Sequence, residues 1–354
     1  MSRAPLLVQL LKVPVCLLLL ASVYSVFAWQ KAVAADERAG GYFPVTTRNC
    51  KLAARYSQEH NGVALLVMQG GSVVYEHYHN GHTAATPHIL ASGTKSFWGV
   101  VAVAAAEDGL LDLDEKVCQT IDEWRDDSLK SRITVRQLLN FTDGLEQAAD
   151  LLDGPSVRDK FHLAISCPAN REPGTFFEYG PAHLFVFGEL LKRKLAARHE
   201  DPLSYLKRRI FFPIGLYVSN WTHDRAGNPS MPAGAMLTAR QWSKFGQLIN
   251  EGGSFNGKQI VSGELLRQCF VGSQANPNYG LTFWLTATDP FGLKPQTKSK
   301  FNAPSDTVMA AGAGKQRLFI IRSQDLVVVH QAYDGDFRND QFLSLLLTRH
   351  MPPR

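Results

Sequence analysis

The chain has 354 residues, 45% of them hydrophobic and 19% charged, with a formal net charge of +5 at pH 7. This ordinary globular composition can bury a substantial core as one large domain or two lobes. Three of the cations, Arg3, Lys12 and Lys31, lie in the N-terminal segment; without them the charge falls to +2, and nothing points to a nucleic-acid partner.

Arg3 and Lys12 precede an uncharged run, 13–30, which passes through Leu17-Leu18-Leu19-Leu20 to small-residue sites at Val26-Phe27-Ala28 and Ala32-Val33-Ala34. The pattern predicts a signal peptide, residues 1–34, cleaved near Ala34, with a mature domain over 36–354 and a periplasmic or secreted location. An uncleaved membrane anchor is the alternative, because the run approaches the length of a membrane-spanning helix. Cys16 is a poor lipidation site, with no small residues before it. Four cysteines would remain after cleavage: Cys50, Cys118, Cys167 and Cys269. In an oxidising compartment they could form up to two disulfides in three connectivities; their spacing is not metal-like, so they read as structural or free thiols.

Residues 51–60 predict a short helix. Residues 63–68 and 72–78 predict strands joined as a hairpin at Gln69-Gly70-Gly71. The end of that hairpin, His77-Tyr78-His79-Asn80-Gly81-His82, is similar to a zinc-binding pattern of metallohydrolases, but Gly81 stands where an aspartate is needed and no further ligand set accompanies it. It reads instead as an exposed hairpin end.

Next comes Ser92-Gly93-Thr94-Lys95, at the head of an apolar run from Phe97 to Ala106 that has no polar face and predicts a helix buried all round. Positions i and i+3 share a helix face, so the Lys95 amine would lie beside the Ser92 hydroxyl. A serine becomes nucleophilic when a neighbouring base takes its proton, and burial lowers a lysine pKa toward the range where it can serve. Free N–H groups at the helix N-terminus would favour the oxyanion formed at an attacked carbonyl. The same spacing recurs at Ser204-Tyr205-Leu206-Lys207, on an amphipathic helix with a charged face, where it reads as solvated surface.

Further helices are predicted over 134–139, 182–197 and 239–250, strands over 317–321 and 326–330 across a turn at 322–325, and a last helix over 340–350. Residues 288–304, rich in Pro, Lys and polar residues, read as flexible. Strands at both ends with helices between predict an α+β fold: one antiparallel sheet assembled from the two chain ends, flanked by helices, with a helical lobe inserted at about 119–231.

Further segments follow the pattern begun at Ser92: Ala91-Ser92-Gly93-Thr94-Lys95-Ser96-Phe97, Asp108-Gly109-Leu110-Leu111-Asp112-Leu113-Asp114-Glu115-Lys116-Val117, Ile133-Thr134-Val135-Arg136-Gln137-Leu138-Leu139-Asn140-Phe141-Thr142-Asp143-Gly144-Leu145, Pro173-Gly174-Thr175-Phe176-Phe177-Glu178-Tyr179, Tyr279-Gly280-Leu281 and Ala311-Gly312-Ala313-Gly314-Lys315-Gln316-Arg317-Leu318. Together these segments resemble the serine β-lactamase and penicillin-binding protein superfamily, in its class C-like esterase and amide-hydrolase branch. They occur in the family's order across roughly 60–350. The resemblance implies a β-lactamase/transpeptidase-like fold, Ser92 as nucleophile, and Lys95 and Tyr179 as the groups that move its proton. It also implies substrate-binding or oxyanion roles for Gly314, Lys315 and Gln316 on a strand lining the cleft, where Lys315 would attract a substrate carboxylate if its register faces inward.

The chain departs from the pattern at Phe141 and Asp143, at Lys315, which replaces a glycine, and at Pro181, which stands where Tyr-x-Asn requires Asn. Proline suits the first turn of a following helix but lacks the side-chain amide that family members use on the substrate. The literal Tyr78-His79-Asn80 precedes Ser92 and is misplaced.

The expected function is therefore a secreted serine hydrolase that forms an acyl-enzyme on small esters or amides, with no cofactor, no metal and no nucleic-acid partner. β-Lactamase or D-amino-acid peptidase activity at the same site is the alternative; a noncatalytic binding protein on this scaffold, or a zinc metallohydrolase, represents other classes. A Ser-His-Asp hydrolase of the α/β type is disfavoured by the lack of a Gly-x-Ser-x-Gly elbow.

Overall fold

A computed structural model of the protein describes residues 44–151, 157–288 and 303–348. The predicted signal segment and all but the ends of the segment read as flexible lie outside the described residues. In chain order the elements are α1 (Thr47–Glu59), β1 (Gly62–Gln69), β2 (Ser72–Tyr78), β3 (His88–Ile89), a 3-10 turn (Ala91–Lys95) and α2 (Ser96–Glu107). Short helices and 3-10 turns follow, among them α3 (Val135–Leu139), α4 (Lys160–Ile165), α5 (Ala182–Leu195) and α6 (Pro202–Leu206). Then come β4 (Asn220–Trp221), β5 (Ala235–Leu237), α7 (Ala239–Asn250), β6 (Ser254–Phe255), β7 (Lys258–Gln259) and α8 (Gly263–Arg267). The chain returns with β8 (Thr307–Gly312), β9 (Gln316–Ile321), β10 (Leu326–Ala332) and α9 (Asn339–Leu347).

The main sheet has the order β2-β1-β10-β9-β8 and is antiparallel throughout, so the two chain ends do assemble it. Gly70 and Gly71, with φ of +61° and +71°, close the first hairpin; paired left-handed residues give the tight turn whose twist matches its strands, and glycine adopts them without a Cβ clash. Side chains alternate across the sheet. Leu65, Val67, Phe319 and Val328 pack on Ala53 and Ala54 of α1 and Phe342 and Leu343 of α9. Leu66, Leu318, Ile320 and Val329 pack on the opposite side with Val100 of α2 and Phe245 and Leu248 of α7. Every residue of β1, β8, β9 and β10 is buried, as helices on both faces require.

Among the described residues no strand lies between α2 and β4, a stretch of helices and 3-10 turns, while β4 itself falls inside the bounds, about 119–231, predicted for a helical lobe. Thr134 caps α3 in a capping box with Gln137, the S/T-x-x-Q pattern legible in the sequence. Two expectations need correction. The helix predicted to begin at Ser92 begins at Ser96, because 91–95 winds as a 3-10 turn. The pair of C-terminal strands is a trio: β8, at the sheet edge, went unread because its short apolar run follows a polar stretch. The four cysteines of the described chain are all free thiols, Cys118 partly exposed and the others buried.

Candidate active site

Ser92 and Lys95 lie in the 3-10 turn that feeds α2. The turn is entered at Ala91, whose φ of +46° is uncommon for a residue with a Cβ. The turn is tied down on the β5 side: Leu90 N–H donates to Ala235 O at 2.9 Å, and Ala235 N–H donates to Thr94 Oγ1 at 3.2 Å. On the other side Gly312, the last residue of β8, approaches so closely that a Cβ there would fall 2.1 Å from Leu90 O and 3.0 Å from Gly93 N. Only glycine fits between strand and turn. In a 3-10 turn residues i and i+3 eclipse, which stacks Lys95 directly beside Ser92.

Lys95 Nζ donates to Ser92 Oγ at 2.9 Å and to Pro232 O at 3.1 Å. The lysine is 3% exposed, and desolvation pulls its pKa from 10.5 down to about 7. Its amine is therefore substantially neutral at neutral pH and able to accept a proton across the contact it already makes.

The Tyr179 side chain hydrogen-bonds the Ser92 side chain. Burial pushes its phenol pKa well up, against the opposing effects of that hydrogen bond and of the Arg317 charge. The Tyr179 ring lies 5.0 Å from Lys95 Nζ, is stacked on Trp284 at 5.6 Å and meets Phe141 edge-on at 5.4 Å. Ser92, Lys95 and Tyr179, from the turn and from the segment before α5, thus converge on one hydroxyl. Pro181 ends that segment as the residue before α5, in helical conformation, and brings no side-chain amide.

The remaining predicted residues fall differently. Gly314 and Lys315, with φ of +70° and +62°, form the turn between β8 and β9 rather than a strand lining a cleft, so the register question for Lys315 does not arise. Its carbonyl contacts His330 Nδ1 at 2.9 Å. Gln316 is paired with Gly312 in the ladder, and its side chain braces the turn by donating to Gly314 O at 2.9 Å and accepting from Ala332 N–H at 3.2 Å. The hairpin reaches the Ser92 turn through Gly312 instead. Arg317, fully buried, fixes that end of β8: its guanidinium donates to Gly312 O and Gln316 O, each at 2.9 Å, and to Asn339 Oδ1 at 3.1 Å.

Gly312, Arg317, Trp284 and Pro232 are contributions that sequence reasoning missed. Gly312 and Arg317 sat inside the matched run at 311–318; Pro232 acts through its carbonyl, which leaves no trace in side-chain identity.

The histidines of the hairpin end do not gather around one point. His77 and His79 touch, with ring centroids 4.1 Å apart, while His82 turns to His88 at 5.7 Å and to the Tyr333 hydroxyl at 3.4 Å. Among the described residues no group of three or more His, Cys, Asp or Glu is arranged to hold a metal ion. Tyr78 donates to Glu76 Oε2 at 2.9 Å.

The 6-aminohexanoate-dimer hydrolase of Paenarthrobacter ureafaciens is 24% identical over 218 residues, which cover 56% of this chain and 54% of that protein. The chain spans about half the length, or less, of the curated relatives it matches. A penicillin-binding protein homologue from Caulobacter crescentus superposes with a TM-score of 0.65 at 13% identity, covering 87% of this chain and 97% of that one. A family VIII carboxylesterase superposes with a TM-score of 0.62 at 18% identity, covering 86% and 98%. At such identities the structural likeness concerns the fold. The sequence pattern of the Beta-lactamase family matches residues 44–331, most of the chain. The chain belongs to the Beta-lactamase family, within the superfamily of serine β-lactamases and penicillin-binding proteins.

Proposed function

We propose that this protein is a serine hydrolase that cleaves small esters or linear amides through an acyl-enzyme on Ser92. The observation that carries the reading is the 2.9 Å contact between Ser92 Oγ and a buried Lys95 whose pKa is drawn down to about 7. The neutral Lys95 amine takes the Ser92 proton as Oγ attacks the substrate carbonyl. Tyr179, its phenol kept protonated by burial, gives its O–H proton to the leaving group and recovers one from the Lys95 ammonium, so the proton taken from Ser92 is relayed without the phenol resting as an anion. The tetrahedral intermediate places its negative charge on the Ser92 N–H and on backbone at the Gly312 end of β8, the strand end that packs on the turn. Collapse breaks the bond to the leaving alcohol or amine, which departs with the relayed proton. Water then attacks the acyl-enzyme with Lys95 again as base, and the carboxylic acid is released with Ser92 restored.

The substrate class is supported by the relative named as a 6-aminohexanoate-dimer hydrolase and the structural neighbour named as a carboxylesterase. Pro181 supplies no side-chain amide at the position where the wider family places one, which disfavours β-lactams and cell-wall peptides. The leader-like pattern of residues 1–34 supports a periplasmic or secreted location.

Labelling with a fluorophosphonate, followed by peptide mapping, tests the mechanism. Modification is expected at Ser92, with Ser204 untouched, and loss of both labelling and ester hydrolysis in Ser92→Ala. Labelling elsewhere, or hydrolysis surviving in that variant, refutes it; a properly folded chain that takes no label is a binding protein.

A further inference from the structure

Asp143 and His183 form a fully buried pair that the reaction above does not use. Both are 0% exposed, and Asp143 Oδ2 lies 2.7 Å from His183 Nδ1. The second carboxylate oxygen accepts the Leu145 N–H at 2.8 Å. A carboxylate only accepts, so Nδ1 of His183 is its donor, and Nε2 is buried with no hydrogen-bond partner among the described residues. Replacing such a pair by apolar side chains is often neutral or stabilising, so its presence asks for a reason other than stability.

The neighbours supply one. Phe141 stacks on the His183 imidazole at 4.8 Å and 26°, and presents itself to the Tyr179 ring at 5.4 Å and 71°. Phe141 has a φ of +60°, a conformation costly for a bulky side chain, which persists only where the surroundings enforce it. Its carbonyl accepts the Glu178 N–H at 2.9 Å, one residue before Tyr179. His183 itself sits in the first turn of α5, two residues after Pro181. Phe141 and Asp143, two of the positions where the chain departs from the pattern it otherwise resembles, therefore fall in one connected cluster that ends on the tyrosine.

We propose that Asp143 and His183 are positioning residues: their buried hydrogen bond holds Phe141 against Tyr179 and thereby sets the Tyr179 hydroxyl at Ser92. The proposal rests on the reading of Ser92, Lys95 and Tyr179 as the reacting groups.

Its test is the second-order rate at which a fluorophosphonate modifies Ser92, read with the thermal midpoint of each variant. Asp143→Ala and His183→Ala are expected to slow labelling about ten- to a hundredfold, the cost of a misplacement of roughly an ångström. The double variant is expected to be no slower than the slower single, because the two act as one unit. Asp143→Asn keeps one acceptor oxygen for Leu145 N–H and can donate its amide to His183 Nδ1 in the Nε2–H tautomer, so the pair stays hydrogen-bonded without charge; it should label within about threefold of the wild type if geometry rather than charge is what matters. Phe141→Leu, which keeps an apolar side chain but removes the ring that bears on Tyr179, should label several-fold more slowly and gives the answer even if the alanine variants do not fold. Wild-type rates in Asp143→Ala, His183→Ala or Phe141→Leu, whatever their midpoints, overturn the proposal, as does an Asn variant as slow as Ala. Wild-type protein that is modified somewhere other than Ser92 refutes the underlying mechanism instead.

Discussion

The chain contains the Ser-x-x-Lys spacing twice, and the two copies have opposite surroundings. Ser92 and Lys95 share a 3-10 turn at the head of a buried helix, and the hydroxyl meets a desolvated amine at 2.9 Å. Ser204 lies exposed in the first turn of α6, where its hydroxyl donates to Asp201 Oδ2 at 2.5 Å, while Lys207 begins the π turn that follows. Asp201 also accepts the Leu203 and Ser204 N–H groups at 2.9 and 3.0 Å, so Ser204 belongs to an N-cap. Spacing brings two side chains to one face in both places. What differs is solvent: a dry amine can take a proton from serine, whereas a carboxylate in contact with water only receives its hydrogen bond.

The largest effect that could break this contrast comes from removing the amines. Lys95→Met, which fills the same space without a base, is expected to lower kcat/KM for an activated ester by about 10²–10⁴-fold, while Lys207→Met leaves it unchanged. Steady-state kinetics on both variants decides. Equal losses would mean that burial of Lys95 is incidental.

A smaller and more discriminating effect is the pH profile. If Lys95 must be neutral to act, kcat/KM should rise with pH through about 7 and then level off. Burial holds the Tyr179 phenol above its ordinary range, so its ionisation brings no decline near neutrality. A flat profile from pH 5 to 9 would remove Lys95 from the role of base.

How much of this could be read from residues depends on which physical signal each one leaves. The β1–β2 hairpin, α7 and the burial of α2 were legible because Gly70-Gly71, amphipathic periodicity and an unbroken apolar run are local signatures. The convergence of Tyr179 on Ser92 was reachable only through ordered resemblance, since nothing local ties residue 179 to residue 92. Gly312, Pro232 and the Asp143–His183 pair were not legible. The first acts by lacking a Cβ, the second through a carbonyl, and the third through a contact between two segments that the fold alone brings together. The assignment of Lys315 to a strand came from the resemblance, which carries the order of motifs but not the local backbone: Gly314 and Lys315 take consecutive left-handed conformations, uncommon for a lysine, and make a turn there instead.

Stability offers a third test, because a lysine with a lowered pKa destabilises the fold while it is charged. The unfolded chain holds the Lys95 proton up to about pH 10.5, the folded chain only up to about 7. Between these values unfolding takes up a proton, so the wild type gains stability relative to Lys95→Met as pH rises through this window. Below about pH 7 the buried charge is present in full, and Lys95→Met should melt above the wild type; by pH 10 the gap should have narrowed. Thermal melts of both proteins at pH 6 and pH 10 give the comparison. A constant gap for Lys95→Met would mean that the amine stays hydrated in the folded state.

The smallest effect falls on the second copy. Asp201→Ala removes the acceptor for two N–H groups at the start of α6 and for the Ser204 hydroxyl, and should cost about 1 kcal/mol, the usual value of a lost N-cap. Because this helix start is solvated and Ser204 meets no base, kcat/KM should not change. Denaturant unfolding paired with ester kinetics on the same preparation separates the two quantities. A fall in activity at unchanged stability would show that the surface copy is coupled to the reacting one, and burial could no longer be the whole of what distinguishes them.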